Sequence, residues 1–168
     1  MTIPSWLVLA RSLIGVREIV GAKHSPTIMG WIKGLGAKVL GIAVTDDETA
    51  WCGTFAAHVM QTSGYPPPPV AVRASSWGSW GRQLIGPRLG CILVFTRQGG
   101  GHVGFYLGET ATAYRVLGGN QSNSVSATWI AKDRLAKGGM RWPGGAALPP
   151  VEPVRLAADG AQMSENEA

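Results

Sequence analysis

Cysteine is scarce in this 168-residue chain, which has only Cys52 and Cys91, in unrelated local contexts. Two thiols cannot form the dense disulfide framework of a small secreted domain, so both are expected to be free, as in a reducing compartment. No CxxC or HxxxH spacing occurs either, which leaves zinc without a ligand set, and no cofactor is expected. Long apolar runs are missing as well. Residues 3–14 are apolar, but Arg11 interrupts them, no basic leader precedes them and no small-residue cleavage site follows. Neither a signal peptide nor a stable membrane insertion is expected. Charge of one sign is never concentrated: 15 basic and 10 acidic residues give +5, but the basic residues come singly. A mildly positive, solvated surface compatible with an anionic polymer follows, with no nucleic-acid partner. The chain has no internal repeat.

The composition is 45% apolar, and the length suits one compact domain with its own core. Residues 5–14 read as a helix stopped by Gly15, and Ser25-Pro26 as an N-cap and first helical residue for a segment through Trp31 and Ile32. The cap-rich stretch Asp46-Asp47-Glu48-Thr49 precedes a third helix over residues 50–63, with Thr49 as N-cap and Gly64 as stop. Four prolines, Pro66-Pro67-Pro68-Pro69, predict a rigid extended connection, and a short helix follows near residues 72–80.

From Gly90 the period changes. Cys91-Ile92-Leu93-Val94-Phe95 is the pattern of a strand buried on both faces, and further strands follow over residues 102–108, 113–118 and 124–130. The fold class is α+β, with N-terminal helices packed on a mostly antiparallel sheet. After Pro143 the composition shifts to Gly, Ala, Pro and charged residues, so residues 144–168 are expected to be a disordered tail whose removal leaves folding nearly unchanged.

On a 3.6-residue period Cys52 shares a face with Phe55, Ala56 and Val59, whereas Thr54, His58 and Gln61 fall opposite. In the first turn of its helix Cys52 is expected to be stabilised as a thiolate by unpaired N–H groups and the helix dipole, as befits a nucleophile. His102 leads a strand in which Val103, Phe105 and Leu107 alternate with His102, Gly104 and Tyr106. A helix carrying Cys52 packed over the His102 face would pair thiol and imidazole for nucleophilic catalysis. The orienting third group is expected to be Asn120, with Gln121 as its competitor. His24 and His58 are expected to be solvated, and Cys91 to be a buried inert thiol.

Three ordered segments, Asp46-Asp47-Glu48-Thr49-Ala50-Trp51-Cys52, Gly101-His102-Val103-Gly104-Phe105 and Leu117-Gly118-Gly119-Asn120-Gln121, resemble the CHAP and NlpC families of papain-like peptidoglycan hydrolases, most closely a compact phage-type group. The resemblance spans roughly residues 5–143 and implies a single papain-like domain over residues 1–143. It assigns Cys52 as nucleophile, His102 as base and Asn120 as the third polar residue. The implied activity is cleavage of amide bonds in bacterial cell wall, as an amidase or endopeptidase. The implied setting is an endolysin made in the host cytoplasm, monomeric, with peptidoglycan as partner. A catalytically silent wall-binding or phage structural domain is the alternative. Some relatives bind calcium near the acidic segment, although helix capping accounts for those carboxylates as well. One departure is Gly90-Cys91, where the family often has Gly-Asp.

Overall fold

The computed structural model of the protein describes residues 1–158 and 163–164. Three α-helices come first: α1 (Ser5–Ser12), α2 (Pro26–Leu40) and α3 (Cys52–Thr62). A 3-10 turn, Ala74–Ser79, leads into the strands β1 (Arg82–Gln83), β2 (Ile92–Arg97), β3 (Gly100–Glu109), β4 (Ala113–Gln121) and β5 (Ser124–Ala131). A second 3-10 turn, Lys132–Arg134, precedes β6 (Leu135–Trp142). All pairings between these six strands are antiparallel, in one sheet ordered β1-β6-β2-β3-β4-β5. The α+β class and the helices-before-sheet order are as the pattern predicts. No helix among the described residues is long and apolar enough to cross a membrane.

The helix starts and stops follow from local chemistry. Ser25 Oγ accepts from the Ile28 N–H at 3.3 Å, with Pro26 as the first helical residue. The helix runs past Ile32 to Leu40 by breaking at Gly36, whose φ of 77° only glycine adopts cheaply. Helix α3 is the centre of the molecule: Cys52, Gly53, Thr54, Phe55, Ala56, Ala57, Val59 and Met60 are all buried. On one side the Phe55 ring meets the edge of Phe105 on the sheet at 6.0 Å. On the other, Trp31 of α2 lies 5.7 Å from Phe55 and stacks on His58 at 5.0 Å. Covered from both sides, α3 has no broad solvent face. Thr54 is therefore buried, and His58 packs instead of standing in water, its pKa pushed down by burial.

The acidic segment before α3 does not cap that helix. The N-cap is Trp51, without a side-chain cap bond, and Thr49 is instead held by Asp46, whose Oδ1 accepts from the N–H groups of Glu48 and Thr49 and from Thr49 Oγ1. Asp47, fully buried, accepts from the N–H groups of Ile19 at 2.8 Å and Ser25 at 2.7 Å, and meets His24 Nδ1 at 3.0 Å. Glu48 accepts from the Gly21 N–H, and Trp51 Nε1 donates to Glu18. These carboxylates pin the loop over residues 17–25 to the entrance of α3, because a long loop with few apolar residues must satisfy its backbone donors some other way. His24 is thus half-buried beside Asp47 and not simply solvated.

Beyond Pro143 the chain is a strap as far as residue 158, contrary to the expected disordered tail; residues 159–162 and 165–168 lie outside the described residues. The Glu109 N–H donates to Val154 O at 2.8 Å and the Leu156 N–H to Glu109 O at 2.9 Å, while Tyr106 Oη bonds both Glu109 and the Val154 N–H. Lys132 and Arg155 meet the same Glu109 carboxylate at 2.8 Å each. Side-chain-free notches receive the strap: a Cβ on Gly108 would lie 2.5 Å from Leu156, and one on Gly86 2.6 Å from Val151. Single knobs set into glycine notches leave no periodic stripe in the sequence. Truncation after Pro143 is therefore expected to lower the melting temperature by about 5–10 °C, a loss of roughly 2–3 kcal/mol for a chain of this size. Unchanged calorimetric melting would show that the strap contributes nothing.

Candidate active site

Cys52 is the first residue of α3, and the helix can press its N-terminus onto the chain behind it only because position 53 lacks a side chain. A Cβ on Gly53 would lie 2.3 Å from Ala71 O and 2.6 Å from Val72 O. Cys52 is 7% exposed and borders a cleft of about 690 Å³ shared with Arg73, Ser75, Thr96, Arg97 and Lys137. Burial pushes its pKa up; the N–H groups of Val103 and Gly53 and the positive charge of Arg97 oppose that without overcoming it. Desolvation thus works against the thiolate expected from the helix terminus and is the largest influence on the group.

His102 is 1% exposed on β3. Its register partner is Phe95, whose ring stacks on the imidazole at 6.5 Å, whereas Val103 and Phe105 point to the opposite face, the one covered by α3. The helix therefore does not lie over the His102 face, as the alternation had predicted. Instead the Val103 N–H points at the Cys52 sulfur. A strand N–H lies in the plane of the sheet, so the thiol sits level with β3, beside the peptide bond joining His102 to Val103.

The His102 Nε2 atom bonds Gln121 Oε1 at 2.9 Å. The Gln121 amide nitrogen in turn donates to Ser126 O at 2.6 Å and Val116 O at 3.3 Å, and those two carbonyls fix which end of the amide faces the imidazole. The carbonyl end can only accept, so the neutral ring carries its proton on Nε2 and its lone pair on Nδ1.

Gln121 thus holds the place expected for Asn120, and the reason is a backbone irregularity. Asn120 is buried with φ at 57°, and the β4–β5 pairing shifts register between Gly118 and Gln121. Simple alternation from Gly118, which faces His102, would bring Asn120 to the same face; the left-handed residue turns the next side chain there instead.

Two glycines on β4 are contact surfaces. A Cβ on Gly118 would lie 3.0 Å from His102 Nε2 and 2.7 Å from Gln121 Oε1. One on Gly119 would lie 2.5 Å from Phe55 Cβ and 2.9 Å from the Trp51 ring. Neighbouring positions on a strand face opposite ways, so this pair admits the imidazole on one side and the N-terminus of α3 on the other.

Cys91 is fully buried, and burial pushes its thiol up to about 12. Hydrogen bonds to the backbone secure the start of β2: Gly90 N–H to Tyr106 O and Cys91 N–H to Arg88 O at 2.9 Å each, and Trp6 Nε1 to Gly90 O at 2.8 Å. Among the described residues no group of three or more His, Cys, Asp or Glu side chains is arranged to hold a metal ion. In the acidic segment named for calcium, Asp46 Oδ1, both Asp47 oxygens and Glu48 Oε1 serve the backbone and side-chain bonds given above. Comparison with protein-family models, with curated proteins and with solved structures finds no match to this chain.

Proposed function

We propose that the protein is a cysteine-dependent hydrolase of papain-like type that cleaves amide bonds in bacterial peptidoglycan, as an amidase or endopeptidase. The observation that carries the hydrolytic part is the junction at β3: a thiol at the N-terminus of a helix, bordering a cleft and within the influence of the Val103 N–H, next in the chain to a histidine whose tautomer Gln121 fixes. In this reading Nδ1 of His102 takes the Cys52 proton as the sulfur attacks the substrate carbonyl carbon. The amine leaves with that proton and a thioester remains. Water, deprotonated by His102, then releases the acid product and restores the thiol. Gln121 is a positioning residue that holds the imidazole in the competent tautomer.

Choice of cell wall as substrate, and a lytic phage-type role with the chain working as a monomer, rest on the three ordered segments that resemble the CHAP and NlpC families. The burial of both Cys52 and His102 favours the alternative of a silent domain of the same fold. Alkylation separates the two. Cys52 should react with iodoacetamide at least tenfold faster than Cys91, since Cys52 borders the cleft and Cys91 is fully buried, and His102→Ala should slow it if His102 is the base of this reading. Equal rates at both thiols, or no response to His102→Ala, would favour the silent domain.

A further inference from the structure

A pocket of about 590 Å³ lies at the far end of α3 from Cys52. It is closed between the segment before α1, the chain just after α3, the approach to β2 and the strap beyond Pro143. Cys52 begins α3, whereas Tyr65, which lines this pocket, lies beyond the last residue of that helix, Thr62. The 11 residues of α3 put about 16 Å between its two ends. A small ligand held here does not reach the thiol, and no described residue lines both this pocket and the Cys52 cleft.

The lining combines an aromatic wall with one anchored donor. Trp6 lies edge to face with Tyr65 at 5.4 Å and with Trp142 at 5.0 Å. Both indole N–H groups are spent on backbone carbonyls, that of Trp6 on Gly90 O and that of Trp142 on Ala147 O, so these rings offer a ligand apolar surface only. Arg88 is 8% exposed, and its guanidinium is fixed by Pro149 O and Gly86 O, which accept from Nε and Nη1. Its Nη2 meets no acceptor among the described residues and is not sealed from solvent, so part of a rigid donor fork remains open to what enters. Glu152, exposed at the same pocket, supplies an acceptor, and neither it nor Arg88 belongs to an ion pair among the described residues.

We infer that this pocket is a glycan subsite that takes the acetamido group of an N-acetylated hexosamine. A neutral amide has the complementary pair of groups: its oxygen accepts from Arg88 and its N–H donates to Glu152, while the acetyl methyl and the C–H face of the sugar pack on the aromatic wall. A lone carboxylate would be repelled by Glu152 and a lone ammonium by Arg88, so the two residues together favour an uncharged ligand. This rests on the cell-wall part of the reading above and deepens it, because the glycan strands of peptidoglycan are built from such sugars. In a repeating polymer one sugar can occupy the pocket while a peptide elsewhere on the same network enters the Cys52 cleft, which raises the local concentration of scissile bonds without any contact to the reacting atoms.

The test is isothermal titration calorimetry on the full chain with tetra-N-acetylchitotetraose, and with cellotetraose, which has the same linkage but hydroxyls in place of the acetamido groups. The acetylated sugar is expected to bind about tenfold tighter than cellotetraose. Arg88→Met, which keeps an apolar stem and removes the donors, should weaken it by about fivefold. Ala147→Trp should abolish saturable binding, because it sets an indole at an exposed position of the lining and leaves the main-chain carbonyl that Trp142 uses in place. Circular dichroism checks the fold of both variants; if Arg88→Met does not fold, Ala147→Trp decides, and if neither folds, the wild-type comparison of the two sugars decides. Equal affinity for the two sugars, no saturable binding, or binding that folded Ala147→Trp leaves unchanged overturns the subsite, and hydrolysis of wall by the same preparation then shows that the hydrolase reading stands. The expected binding pattern with the wall left intact does the reverse: it upholds the subsite and overturns the hydrolase.

Discussion

Cys52→Ser is expected to lose peptidoglycan hydrolysis by about 10³-fold or more while the melting temperature stays within a few degrees of wild type. The substitution keeps size and hydrogen bonding, and the Val103 N–H that meets the sulfur can meet a hydroxyl equally well. What changes is acidity. The Cys52 thiol is already pushed up by burial, and a hydroxyl in the same place lies several pK units further from anything a neutral imidazole can deprotonate. Cys91→Ser is the contrasting control, since that thiol is fully buried outside the cleft residues around Cys52. It should cost about 1–3 kcal/mol of stability, if its hydroxyl finds no partner, and leave turnover per folded molecule unchanged. Turbidity clearing of a wall suspension and thermal melting on both variants check this pair. An active Cys52→Ser protein removes the nucleophile from the account.

The second large effect is structural. Gly53→Ala should destabilise the protein by roughly 3 kcal/mol, even though helix propensity alone favours alanine over glycine by about 1 kcal/mol at an interior helical position. The sign is decided by space: the added Cβ would lie 2.3 Å from Ala71 O and 2.6 Å from Val72 O, both main-chain atoms that no side-chain rotation can clear. Relief requires α3 to withdraw, and that would also move Cys52 away from the Val103 N–H. Denaturant unfolding should show the loss, and activity should fall further than the folded fraction accounts for. A variant as stable and active as wild type would mean that the close approach of α3 to residues 71–72 is not needed.

Much of this was legible in residue order. The Ser25-Pro26 start, the glycine stops and the apolar run of β2 are local signals, and local signals fix elements. The places of Cys52 at the start of α3 and of His102 on β3 were legible, since each sits at a recognisable position on its own element, but the side from which the helix approaches the strand was not. Alternation says which side of a strand His102 occupies; it does not say which side the helix covers, and here the two differ. Residue types alone do not separate the two adjacent amides Asn120 and Gln121; the left-handed backbone at Asn120, which decides between them, leaves no mark in the sequence pattern. Strand β6 escaped notice because Gly138 and Gly139 interrupt its pattern, although a Cβ on Gly139 would lie 2.6 Å from Val94 O, which makes the missing side chain the condition for pairing. The strap beyond Pro143 and the acidic loop staples share one cause. Both are held by backbone hydrogen bonds and isolated contacts, which carry no period.

The central claim is that this chain hydrolyses amide bonds of peptidoglycan through Cys52. Its most direct test is mass spectrometry of the fragments released when purified peptidoglycan is incubated with the full-length protein and, in parallel, with Cys52→Ser. The account predicts soluble fragments whose masses correspond to addition of one water across an amide bond, produced by wild type and absent with the variant. Intact wall after incubation with folded wild-type protein, or the same fragments from Cys52→Ser, would contradict it.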